Sequence, residues 1–111
     1  MIKITVTFDG EFISTIEASG HSGYAVEGSD IICSAVSTLV QNCEKGLKEL
    51  LKIKTHYVVD EKRPYLSITL PSIMTDVERH DANILLNSTM LGLSDLADSY
   101  PKYISIKEKR K

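Results

Sequence analysis

A chain of 111 residues, 42% hydrophobic and 25% charged, has the size and balance of one soluble domain, which excludes a disordered or fibrous polypeptide. A formal net charge of −2 argues against nucleic-acid binding through a broad basic face, since such a face must neutralise phosphates. The start Met1-Ile2-Lys3-Ile4-Thr5 alternates polar with apolar residues and has neither the apolar run of a secretion signal nor the length of a membrane span, so the expectation is a cytoplasmic protein without membrane contact.

Ile2, Ile4, Val6 and Phe8 alternate with Lys3, Thr5 and Thr7, and Asp9-Gly10 separates them from a second run carrying Phe12, Ile13, Ile16 and Ala18. Asp-Gly between two alternating runs predicts an antiparallel hairpin. From Ser19 to Ser29 the alternation stops, and Gly20, Gly23 and Gly28 mark a loop. Ser29 or Asp30 then has the side chain to cap a helix, along which Ile32, Ala35, Val36, Leu39, Val40, Cys43, Leu47 and Leu50 recur at spacings of three and four. That stripe predicts a helix to about Lys52 with one face on a sheet.

His56 to Val59 and Tyr65 to Leu70 read as a strand pair around the polar turn Asp60 to Pro64, with Pro71 ending the second strand. A second helix is predicted from Thr75 to Ser99. Its apolar positions, Ile84, Leu85, Leu86, Met90, Leu91, Leu93 and Leu96, cover more of the circumference than one core face requires. Either a second copy or the rest of the monomer covers the surplus. Tyr103 to Ile106 make a last short strand, and the predominantly basic tail Lys107-Glu108-Lys109-Arg110-Lys111 reads as a solvated end. The order ββαββαβ, without repeat or linker, predicts a single α+β domain over residues 1–111: a mostly antiparallel sheet packed against two long helices.

The segment that carries chemistry runs from Gly20-His21-Ser22-Gly23-Tyr24 to Gly28-Ser29-Asp30-Ile31-Ile32-Cys33. It sets a glycine-flanked imidazole on a loop and a thiol in what should be the first turn of a helix. There the helix dipole favours a thiolate and free amides are available to an oxyanion. A neutral imidazole, His21, is the candidate base. Spacing alone favours the plainer reading of Cys33 as a small core residue and His21 as a polar loop residue, because a lone His and Cys is a weak signal. Cys33 and Cys43, ten residues apart on one helix, would stand roughly 15 Å apart, well beyond the ~7 Å that a disulfide spans, so both are expected as free thiols in a reducing compartment. Cys43 falls on the apolar stripe and reads as a core thiol. His56 and His80 lack metal-ligand spacing, and no glycine-rich phosphate loop occurs, so neither metal nor cofactor is expected.

The stretch GHSGYAVEGSDIICSAVSTL, residues 20–39, resembles the signature of the ribosomal-processing cysteine protease family, in which a Gly-His-Ser/Ala segment precedes the catalytic cysteine by twelve residues. The predicted order and length resemble that family over essentially the whole chain, with Ser34 where alanine is the more usual residue. The resemblance implies Cys33 as nucleophile, His21 as base, and Gly20, Gly23 and Gly28 in a loop that moves on substrate binding. It further implies removal of the N-terminal extension of large-subunit ribosomal protein twenty-seven, and a homodimer. Asp30 either orients the imidazole or caps the helix, and the cap is the simpler reading. Ser37, one turn beyond Cys33, and Ser22 and Tyr24, beside the base, are further candidates at the site.

Two other classes fit the same residues. A non-catalytic ribosome assembly or ribosomal-protein-binding factor would use the groove without cutting. A thiol redox sensor would use an accessible Cys33, although Cys43 stands too far along the helix to resolve it.

Overall fold

A computed structural model describes residues 1–20, 27–60 and 62–111, with residues 27–30 described by their main chain alone. The hairpin forms as the alternation requires. Strand β1 (Ile2–Asp9) pairs antiparallel with β2 (Phe12–Ser19), and Gly10 takes the positive φ of 63° that the tight turn needs. The register slips between Thr7 and Phe8. This makes Ser14 a bulge residue, and its hydroxyl donates to the Thr7 carbonyl at 3.2 Å.

Helix α1 (Glu27–Lys45) and helix α2 (Asp76–Ser99) lie on one face of a five-stranded sheet, with β3 (His56–Asp60), β4 (Tyr65–Thr69) and β5 (Ile104–Arg110) completing the order β3-β4-β2-β1-β5. All pairings are antiparallel except β1 with β5. The order ββαββαβ is thus the predicted one, in a single domain with a mixed sheet. Ile2, Ile4 and Val6 of β1, Ile16 and Ala18 of β2, and Leu66 and Ile68 of β4 share one core with Ile32, Val36 and Val40 of α1 and Ala82, Leu86 and Leu93 of α2. The other sheet face carries Thr5, Glu17 and Ser67, as a period of two dictates.

Asn83 ties α2 to the bulge. Its side-chain oxygen accepts from the Ile13 amide at 2.7 Å, and its side-chain nitrogen donates to the carbonyls of Ile13 at 3.4 Å and Arg79 at 3.2 Å. A buried side-chain amide therefore supplies main-chain partners to a strand. Thr75 and Glu78 close a capping box at the start of α2, Thr75 Oγ1 accepting from the Glu78 amide at 3.1 Å and Glu78 Oε1 from the Thr75 amide at 2.9 Å.

Three expectations need correction. The main chain is already helical at Glu27, so Ser29 and Asp30 stand inside the first turn rather than at the capping position before it, and Gly28 belongs to the helix rather than to a loop. The helical cost of one glycine, about 1 kcal/mol, is small beside the packing that supports a helix of this length. At the other end α1 stops at Lys45 and widens into a π-turn over Gly46–Leu50, instead of continuing to Lys52, which has a positive φ of 57°. Gly46 packs so close to α2 that a Cβ there would lie 3.1 Å from Leu85 Cδ1. The wider turn keeps Leu47 buried and leaves Leu50 in solvent.

The third correction is the last strand, which does not stop at Ile106. It continues as far as Arg110, pairing in parallel with β1 up to Phe8, where the Arg110 guanidinium stands 4.8 Å from the centre of the Phe8 ring. Main-chain pairing does not require apolar side chains, and those at 107–110 are exposed. On α2, Leu86 and Leu93 are buried, whereas Ile84 and Leu91 are 58% and 72% exposed, so the monomer does not cover that side among the described residues. No helix of the described residues is long and apolar enough to cross a membrane.

Candidate active site

Cys33 is a free, half-buried thiol lining a cleft of about 280 Å³ at one end of the sheet. Helix α1 contributes Cys33, Val36, Ser37 and Gln41, at helical spacings that put them on one face. Val59 and Asp60 of β3, Pro64 of the following turn and Tyr65 of β4 come from the adjoining hairpin, and Ala18, Ser19 and Gly20 come from the end of β2.

Gly20 is fixed in place by its neighbours. Its amide donates to the Pro64 carbonyl at 2.9 Å, its φ is +90°, and a Cβ would lie 2.6 Å from the Met1 carbonyl oxygen. Glycine alone fits there. The chain thus leaves the sheet at the cleft itself. His21, Ser22, Gly23 and Tyr24 lie outside the described residues, as does the side chain of Asp30.

The hairpin beside the thiol is shaped by Asp60. Its carboxylate accepts from the main-chain amides of Arg63 at 3.2 Å and Lys62 at 3.0 Å, and the Arg63 guanidinium stands 3.5 Å away. These donors, the Arg63 amide first, hold the carboxyl below its usual range. Asp60 is therefore engaged in its own turn. Tyr65 donates its hydroxyl to Glu17 Oε1 at 2.7 Å, and that bond to a carboxylate pushes the phenol up. Cys43 is buried, and desolvation raises its thiol, reinforced by the charge of Glu44, although the Thr89 hydroxyl acts the other way. No group of three or more His, Cys, Asp or Glu placed to hold a metal occurs among the described residues.

The longer helix changes the expected setting of Cys33. Cys33 is the seventh residue of α1, not a residue of its first turn, so it stands about 9 Å along the axis from the helix start. The dipole effect is largely confined to the first turn, and an amide this far inside a helix is engaged with the fourth residue before it. A helical side chain leans toward the N-terminus, which recovers part of the distance. Of the candidates, the structure brings Gly20, Cys33 and Ser37 to one cleft. Sequence reasoning missed Gln41, Val59, Asp60, Pro64 and Tyr65. Gln41 was accessible to the spacing argument that found Ser37, being one turn further on, whereas the hairpin residues are brought there only by the sheet order.

Over residues 1–105 the chain matches the family described as Cysteine protease Prp. It is 30% identical over 113 residues to the ribosomal processing cysteine protease Prp of Mycoplasma pneumoniae, covering all of this chain and 98% of that one. A crystal structure from Streptococcus mutans superposes with a TM-score of 0.88 at 29% identity, covering 100% of this chain and 96% of the other. The fold is also that of the essential ribosomal processing protease Prp from S. aureus in complex with a substrate peptide, with a TM-score of 0.84 at 18% identity, covering 98% and 100% of the two chains.

The matches define a cysteine-type endopeptidase. The chain belongs to the Prp family of cysteine proteases.

Proposed function

We propose that this protein is a cytoplasmic endopeptidase that removes the N-terminal extension of large-subunit ribosomal protein twenty-seven, with Cys33 as nucleophile and His21 as base. The observation that carries the reading is the free, half-buried Cys33 in a cleft that Gly20 also lines, since His21 follows Gly20 directly in the chain. In this mechanism the Cys33 thiolate attacks the scissile carbonyl and the imidazolium of His21 protonates the leaving amine. Water then hydrolyses the thioester, and the thiol is restored. Asp30, inside α1, is left the role of orienting the imidazole, and Ser22, Gly23 and Tyr24 that of lining the substrate.

The relatives support this reading through their names, which describe ribosomal processing, and through a bound substrate peptide in the S. aureus protein. The protein is mixed with an N-terminally extended form of the ribosomal protein, and the products are followed by intact mass. Loss of the extension with the parent, and with neither Cys33→Ala nor His21→Ala, is the expected result. Cleavage that survives Cys33→Ala removes the nucleophile, and binding without cleavage by the parent restores the assembly-factor reading.

We also propose a homodimer built on α2, supported by Ile84 and Leu91, which are exposed seven residues apart on one side of the helix. Leu91→Glu should halve the mass measured by sedimentation. A parent that already sediments as a monomer excludes the dimer.

A further inference from the structure

We propose that the substrate is read beyond the residues flanking the cut bond, by a groove between α1 and β3 in which the Gln41 side-chain amide holds the main chain of an extended peptide over Val59 and Tyr57. The inference rests on the endopeptidase reading and extends it to the way substrate is held.

A second cavity, of about 600 Å³, adjoins the Cys33 cleft. Gln41 lines both. The same two elements border the two cavities in opposite chain directions. Beside Cys33 and Ser37 of α1 stand Val59 and Asp60 of β3, and beside Glu44 and Lys45 stand His56 and Tyr57. The cavities therefore form one groove along α1. From Cys33 to Lys45 is twelve helical residues, about 18 Å. An extended peptide covers that distance in five or six residues at ~3.3 Å each.

Tyr57 and Val59 pair with Ile68 and Leu66, which are buried beneath the helices, so both belong to the helix side of the sheet. Yet they are 36% and 50% exposed, because β3 is the edge strand and, among the described residues, neither long helix packs closely over it. Their spacing of two residues, about 6.6 Å, equals that of side chains on one side of an extended peptide. Gln41, alongside this apolar strip, is exposed and has no hydrogen-bond partner among the described residues. A primary amide both donates and accepts, which suits it to a peptide N–H and C=O. Asn83 does this to Ile13 within the same molecule. Gln41 lies eight residues from Cys33, about 12 Å, so it meets the third or fourth substrate residue from the cut bond.

The test starts by locating the cut bond by intact mass on the extended ribosomal protein. Peptides with three residues on either side of that bond are then lengthened one end at a time to seven, and kcat/KM is measured for the parent and Gln41→Leu. Lengthening at one end should raise kcat/KM about 5- to 10-fold in the parent, through KM, and that gain should vanish in Gln41→Leu. Methylating the backbone nitrogen of the residue that confers the gain should cost the parent the same factor and the variant nothing. Gln41→Glu, which keeps the acceptor and loses the donor, should remain sensitive to that methylation. Circular dichroism of both variants confirms the fold. A parent that cuts short and long peptides equally, or a Gln41→Leu variant that keeps the whole gain, overturns the groove and leaves the endopeptidase standing. Failure of the parent on every substrate, the extended ribosomal protein included, overturns both.

Discussion

Cys33 and Cys43 stand ten residues apart on α1, the first half-buried at the cleft and the second 4% exposed in the core. Cys33 faces a gap between the helix and the β3–β4 hairpin, whereas Cys43 is covered on the side where α2 crosses. Its neighbour Thr89 donates its hydroxyl to the Leu85 carbonyl at 2.9 Å, and its lowering effect on the thiol is outweighed by burial. One helix thus holds a thiol that lines an open cleft and a thiol whose charged form burial disfavours. Exposure of the thiol follows from which part of the sheet lies opposite, not from residue type or helix.

The largest expected effect separates the two by activity. Cys33→Ala should lower peptide cleavage by at least about 10³-fold, as expected for loss of a nucleophile, and Cys43→Ala by no more than a few-fold. Equal losses in initial-rate assays on the two folded variants would break the contrast.

Alkylation sharpens it without substrate. In the folded protein Cys33 should react with iodoacetamide about 10²-fold faster than Cys43, and in denaturant the two rates should converge. Peptide mapping of the labelled sites against time measures both, and a Cys43 that labels as fast as Cys33 would show the core to be open. Stability should run the other way. Cys43→Ala leaves a small cavity and should cost about 1–2 kcal/mol in urea unfolding, whereas Cys33→Ala should stay within roughly 0.5 kcal/mol of the parent.

How much of this contrast the sequence discloses depends on the kind of information needed. The strands of the hairpin and the buried faces at Val36, Val40, Cys43 and Leu47 follow from periodicity, because burial of a regular element repeats along it. The order of elements was legible for the same reason. The fine structure of α1 was not: the helix start at Glu27 sets how far Cys33 lies from free amides, and the π-turn at Gly46 packs against Leu85, 39 residues further along the chain. The parallel pairing of β5 with β1 is a long-range choice that leaves no local mark, so Lys107 to Arg110 looked like a free end. Within the site, Cys33 stands out only through the resemblance of residues 20–39 to a family signature, since its spacing to His21 alone also fits a core thiol. Val59, Asp60 and Tyr65 do not, because nothing in their own segment indicates that the hairpin will lie beside α1.

The smallest expected effect is the pH dependence, and it tests Cys43 alone. Burial raises its folded pKa above the ordinary thiol value of 9.0. The folded protein therefore keeps a proton that the unfolded chain releases, and stability falls as pH rises. The contribution is whole below the unfolded value, declines from about pH 9, and is lost as pH passes the folded value. Tyr57, raised by burial, and Tyr65, raised by its bond to Glu17, act in the same direction but from about pH 10. Between pH 8 and 9.5 the slope thus reports chiefly on the thiol. With Cys33→Ala as the background, urea midpoints should fall across that range, and adding Cys43→Ala should flatten the fall while lowering the curve as a whole. Parallel curves would mean that Cys43 titrates alike in both states, and that its low exposure does not desolvate it.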